Sequence, residues 1–208
     1  MQYEKTHLRV DDATIAAGDP WAVIRPVSCI ANMYGGPAEY EQSLRRFSQA
    51  QRQFFALNSY TAEVNNGGHD QFYFNSTGIV WRDALEACQA IGALGLADIL
   101  QQSAERLGGS PSPDRGERQQ QLSELAPNFN DLDNRFYAIE ESEDVDRRVM
   151  NFIRARPADF YFDGIVELPV SSTAEANRQR FDEMLSEMIS LVEAHGRKPK
   201  SGEPRTNG

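Results

Sequence analysis

PAEYEQSLRRFSQAQRQFFALNSY, residues 37–60, decides the fold class. Tyr40, Leu44, Phe47, Phe54 and Leu57 recur at the three-and-four spacing that puts them on one side of an α-helix. Arg45, Arg46, Gln49 and Arg52 fill most of the other side. Pro37 falls where a helix begins, a place at which its missing N–H removes no intrahelical bond. The stretch predicts one long amphipathic helix.

The same periodicity extends in both directions. Upstream, DPWAVIRPVSCIANMYGG (19–36) reads as a shorter helix opened by Asp19-Pro20, closed by Gly35-Gly36 and kinked at Pro26. Downstream, Trp81, Leu85 and Cys88 share a face, and Leu96, Ile99, Leu100 and Leu107 continue the pattern after Gly92 and Gly95 interrupt it. Two helices meeting near Gly92 are predicted, the second ending at Gly108-Gly109. GGSPSPDRGERQQQ (108–121) reads as an exposed loop, followed by a helix over about 117–126. Leu132, Phe136 and Ile139 form one further stripe, and Val145, Val149, Phe152 and Ile153 another, stopped by Pro157. ADFYFDGIVELPV (158–170) fits either a short strand or packed loop. Ser172 and Glu175 suit a capping box ahead of a last helix carrying Phe181, Leu185, Met188 and Val192. No strand alternation of useful length was found, so the expected class is all-α. The expected organisation is a single-domain multi-helix bundle over 1–195 with a flexible basic tail over 196–208.

Charge is the unusual bulk property. The 208 residues carry 31 acidic and 21 basic side chains, a net of -10. The tail holds four basic residues and one acid, so the first 195 residues alone stand at -13. Such a body should repel nucleic acid and anionic membranes and attract basic partners. The N-terminus lacks the basic-then-apolar pattern of a secretory leader, and no window has the roughly 18 apolar residues of a membrane span. Cys29 and Cys88 lie in apolar helical patterns without CxxC spacing, which suits buried free thiols in a cytoplasmic protein. His7, His69 and His195 have no metal-ligand spacing, and HExxH, GxGxxG, the P-loop and GxSxG are all missing. Neither a metal nor a cofactor is expected.

Two clusters remain. EVNNGGHDQFYFNSTG (63–78) places two Asn and two Gly after the long helix, residues that tolerate the left-handed conformation closing helices. Asp70 is placed to cap the next helix. Glu63, Asn66, His69, Asp70, Gln71 and Asn75 form either a polar pocket for a ligand or for hydrolytic chemistry, or a hydrogen-bonded lock between helix ends. The lock is preferred, since no positioned nucleophile accompanies His69. The second cluster is acidic: Asp131, Asp133, Glu140, Glu141, Glu143, Asp144 and Asp146 against the single base Arg135. On charge alone it reads as a solvated helix face, with acids favouring helix N-termini. The sharper reading makes it a lure for a basic protein. Carboxylates one helical turn apart sit about 5.4 Å apart, and DNA offers one charge about every 3.4 Å along the axis of each strand.

Glu63-Val-Asn-Asn-Gly-Gly, then Gln71-Phe72, Asn75 and Gly78, followed by Ala84-Leu85 and Ile91-Gly92-Ala93, resembles the DNA mimic protein nineteen family. The likeness is specific over about 40–108 and extends with less signature to about 155. One departure is His69, where a bulky apolar residue is expected after the Gly pair. The resemblance implies a mostly helical, acidic, cytoplasmic protein that forms a homodimer. It also implies imitation of DNA charge to occupy a helix-turn-helix transcription factor. The signature residues Glu63, Asn66, Gly67, Gly68, Gln71, Phe72, Asn75 and Gly78 read as architectural, leaving partner binding to surface acids. The leading expectation is therefore a non-enzymatic protein that binds a basic DNA-binding protein and neither nucleic acid nor membrane. The alternatives are a small-molecule binder or hydrolase using the 63–75 pocket, and an immunity-type protein whose partner is a toxin.

Overall fold

The computed structural model describes residues 3–169 of the chain. Residues 5–168 form one compact unit, separate from the two ends of the chain. The helix expected after Ser172 and the tail over 196–208 lie outside the described residues.

Among the described residues the order begins with strand β1 (Tyr3–Val10), α1 (Asp12–Ala17), α2 (Pro20–Ile30), α3 (Pro37–Leu44) and α4 (Gln49–Phe74). It continues with α5 (Trp81–Ala90), α6 (Leu94–Arg106), α7 (Arg115–Leu125), α8 (Asn130–Glu143), α9 (Val145–Ala155) and strand β2 (Phe162–Pro169). Single 3₁₀ turns occupy Ser76–Val80 and Pro157–Asp159. The all-α expectation holds, with one small two-stranded sheet, β1 beside β2, added to it. In β1 the outward Lys5, His7 and Arg9 alternate with the more buried Thr6, Leu8 and Val10, the period of a half-buried strand. The strand option for 158–170 is realised as β2.

The helix expected over 37–60 is in fact two. Leu44 ends α3, and Ser48 opens α4 in an extended conformation. The Ser48 hydroxyl accepts the Gln51 N–H at 3.1 Å while Gln51 Oε1 accepts the Ser48 N–H at 3.0 Å. This reciprocal cap satisfies donors that an uninterrupted helix would have paired with carbonyls one turn back. The joint is also tied down at long range. Ser48 Oγ donates to the Asp159 carbonyl and Gln51 Nε2 to that of Phe160, which accounts for a buried glutamine.

Helix α4 runs through the middle of the unit against α2, α5, α7 and α8. It is buried on nearly all sides, including Phe54, Phe55, Leu57, Tyr60, Val64, Phe72 and Tyr73. Aromatic rings knit its neighbours to it. Phe54 meets Phe152 edge-on at 5.0 Å and stacks on Phe160 at 5.4 Å, while Tyr60 meets Phe72 and Phe136 edge-on. Cys88 is buried and its thiol is pushed up to about 12 by that burial, whereas Cys29 is only half-buried. No helix among the described residues is long and apolar enough to cross a membrane.

Candidate functional site

The glycine pair breaks α4 where the sequence places a break. Gly68 has φ +72, a conformation that L side chains rarely adopt. A Cβ there would also meet the Asp133 carboxylate at 2.5 Å. The chain on either side of the break is held together by one residue. Glu63 Oε1 accepts from Gln71 Nε2 at 2.6 Å and from Asn75 Nδ2 at 2.7 Å, and Oε2 accepts from Thr77 Oγ1 at 2.8 Å. The amides that made this stretch look like a binding pocket are thus turned onto one carboxylate. Phe72 is fully buried, and Asn66 is exposed. An open hollow of about 640 Å³ lies alongside, lined by Asp70, Gln71, Phe74, Asn75 and residues of α7. Glu63 and His69 are not part of its wall.

Arg118 of α7, in the stretch whose sequence reads as an exposed loop running into a helix, completes the junction. It is fully buried, and burial pulls its guanidinium down to about 10. Its Nε donates to the Tyr73 carbonyl at 2.7 Å, Nη2 to that of Asn75 at 2.7 Å, and Nη1 to that of Ser112 at 2.6 Å. The guanidinium therefore caps the last turn of α4, whose carbonyls lack helical partners, and fastens the α6–α7 loop to it. Gly78 is the gap through which it passes. A Cβ at Gly78 would stand 2.8 Å from the Phe72 carbonyl oxygen and closer still to Arg118 Nε.

His69 begins the helical piece after the break. Its side chain is fully buried, and its backbone N–H donates to Asp133 Oδ1 at 3.0 Å. Ring Nδ1 lies 2.5 Å from the same oxygen and Nε2 lies 3.0 Å from the Tyr60 hydroxyl. A proton on Nδ1 satisfies both contacts: Nδ1–H donates to the carboxylate, and Nε2 accepts from Tyr60. The cap expected from Asp70 is thus supplied by Asp133 of α8, and Asp70 stays exposed. Burial lowers the His69 pKa, opposed in part by the hydrogen bond and charge of Asp133; Arg106 lowers it further and Asp70 raises it slightly. The sign for stability follows. An unfolded imidazole takes up its proton near 6.5, the folded one only at lower pH, so the unfolded state gains protons first as pH falls. Melting temperature is expected to drop between about pH 7.5 and about pH 5.5, and His69→Phe to flatten that drop. Parallel pH profiles for the two proteins would show that His69 carries none of it.

The acidic run is less of a free surface than its sequence implies. Asp133 caps the piece opened by His69, from another helix. Glu143 does the same for α6: its Oε1 accepts the Gly95 N–H at 3.0 Å, and its side chain is only 16 % exposed. Ala93, at the N-terminus of α6, offers no side-chain cap of its own. Asp144 caps α9 by accepting the Arg147 N–H, and pairs with the Arg147 guanidinium at 2.6 Å. Asp131 is gripped by both terminal nitrogens of Arg106 at 2.5 and 2.7 Å, which holds its carboxyl down to about 2. Asp146, in the first turn of α9, is exposed, and no hydrogen bond or ion pair among the described residues engages its side chain. Glu140 and Glu141 occupy the last turns of α8. Helix N-termini favour carboxylates, which is why so many acids of one run end there. Arg135, the run's only base, pairs with Asp98 at 2.7 Å.

Among the described residues no group of three or more His, Cys, Asp or Glu side chains is placed to hold a metal ion. A family model described as DMP19-like protein matches residues 45–156, more than half of the chain. That span takes in α4 to α9, and with them the glycine break, Glu63, Gly78, Arg118 and the acidic run. No curated protein and no solved structure matches the chain.

Proposed function

The chain belongs to the DMP19-like protein family, and from that membership we propose that it is a non-enzymatic interaction protein that sets surface carboxylates against a basic partner. The partner class is the DNA-reading face of a helix-turn-helix regulator or another basic DNA-binding protein, met by a homodimer in the cytoplasm. The observation that carries this reading is the -13 body of a chain with this family's signature. The motif itself supports a structural role. Glu63 is committed to three donors, and both ring nitrogens of the buried His69 are engaged. A hydrolase built on the same residues would need one of those groups facing a substrate.

Of the 131–146 acids, Asp133 and Glu143 serve internal caps. The partner-facing set is then Glu140, Glu141, Asp144 and Asp146, with Asp131 at its edge and neutralised by Arg106. Binding through surface charges of this kind weakens steeply with salt. The test replaces Glu140, Glu141, Asp144 and Asp146 with Lys and compares capture of partners from the native cell. Wild type is expected to retain a basic DNA-binding protein at low salt and release it as salt rises. The four-fold variant, still folded by its melting curve, is expected to lose it. Equal capture by both proteins would remove these acids from the mechanism.

A further inference from the structure

A second hollow, of about 370 Å³, opens between α3, α5 and the loop ahead of α7. Its wall includes Tyr40 and Glu41 of α3, Trp81 and Asp83 of α5, and Ser110 and Pro111 of the loop. The volume is within the range of small-ligand sites, roughly 300–1,000 Å³. Two polar groups in this wall are left short of partners. Tyr40 is 3 % exposed, yet no group among the described residues hydrogen-bonds its hydroxyl. Buried hydroxyls are nearly always paired, because an unpaired one forfeits its hydration without return. Asp83 is the second. No donor among the described residues hydrogen-bonds its carboxylate, and its nearest cation, Arg52 Nη2, stands 3.8 Å away. That nitrogen is already held by both oxygens of Glu41, at 2.9 and 3.0 Å.

The charges around the hollow leave an excess of acid. Burial raises the Asp83 pKa, opposed by Arg52 and reinforced by the negative charges of Glu86 and Glu41. Arg82 also lines the hollow, but its guanidinium lies over the Trp81 ring at 4.9 Å and donates to Ser110 Oγ. What the wall lacks is a planar cation with several donors. A guanidinium fork matches a carboxylate and has N–H groups to spare for a nearby hydroxyl oxygen, while its aliphatic stem suits Trp81 and the prolines.

We propose that this hollow binds a guanidinium group, with Asp83 accepting the fork and the Tyr40 hydroxyl accepting a further N–H. The site uses none of the 131–146 acids, so it stands or falls separately from the acidic surface. The guanidinium belongs either to an arginine side chain of a polypeptide or to a free guanidine compound.

The test is an NMR titration of the full chain with N-acetyl-arginine methylamide, followed at the Trp81 indole N–H. The exposed Trp21 indole is the internal reference. A saturable shift at Trp81 is expected, with none at Trp21 and none with the uncharged citrulline analogue. Asp83→Asn is expected to weaken binding roughly tenfold, and Tyr40→Phe severalfold. Tyr40→Phe should do so without lowering the melting temperature, since the hydroxyl it removes has no partner in the fold. Ac-Gly-Arg-Gly-NH2 binding tenfold tighter than the amino-acid amide would assign the source to a polypeptide, and equal affinity to a free guanidine; either supports the site. Non-saturating shifts, an equal response to citrulline, or full affinity in both variants would overturn it.

Discussion

Gly78→Ala is expected to destabilise the protein by about 3 kcal/mol or more, although it adds a single methyl group. The added carbon would lie 2.8 Å from the Phe72 carbonyl oxygen and nearer still to Arg118 Nε, and neither neighbour can yield easily. The carbonyl is main chain inside α4. The guanidinium is fixed at its other nitrogens by the Asn75 and Ser112 carbonyls. Thermal unfolding is the measurement, and for a unit of this size such a cost lowers the melting temperature by about 10 °C. A change of a degree or less would mean that the 3₁₀ turn over Ser76–Val80 has slack that the structure does not show.

Arg118→Met is the companion experiment and is expected to cost about 3–5 kcal/mol, within the range for breaking a buried charged network. Methionine has nearly the length of the arginine stem but takes the guanidinium donor from the Tyr73 and Ser112 carbonyls and leaves the Asn75 carbonyl with the Gly78 N–H alone. Charge alone is not the point. Arg118→Lys keeps the charge and loses the planar fork that reaches three directions at once, so it should recover only part of the stability. The double variant Gly78→Ala, Arg118→Met should cost clearly less than the sum of the two, because the smaller neighbour makes room for the methyl group. Strict additivity would show that the two residues do not share one packing site.

These residues also mark how far the sequence could be read. Helix positions followed from apolar spacing, and the break after Asn66 followed from two adjacent glycines. That stretch promised a polar site or a lock, and the structure turns its amides onto Glu63. The split of α3 from α4 was written in Ser48-x-x-Gln51, a capping box masked by the apolar stripe running through it. In β1, the alternation of Thr6, Leu8 and Val10 was present but short. Arg118 left no local trace. Its role depends on carbonyls more than forty residues away in sequence, and an arginine on a polar helix looks like any other. Asp133 and Glu143 were unreadable for the same reason. A run of acids shows its charge, but helix register and the placement of distant N-termini decide which members turn inward.

The inward acids sharpen the functional claim. A DNA-like surface cannot be inferred from the count between Asp131 and Asp146, because Asp133 and Glu143 turn inward as caps and Asp131 is neutralised by Arg106, whereas Asp144 caps α9 yet stays half exposed. The proposed mimicry rests on the acids left outside. Arg52, Arg106, Arg118, Arg135, Arg147 and Arg148 are all occupied with carboxylates or carbonyls of the same chain.

The most direct measurement is displacement. A DNA-binding protein captured by this chain is bound to its own labelled duplex, and the chain is titrated in at constant salt while anisotropy reports free DNA. DNA is expected to be released with one-site competition, and release to fail when Glu140, Glu141, Asp144 and Asp146 are replaced by Lys. A ternary complex in which DNA stays bound, or undiminished release by the Lys variant, would contradict the proposed mimicry.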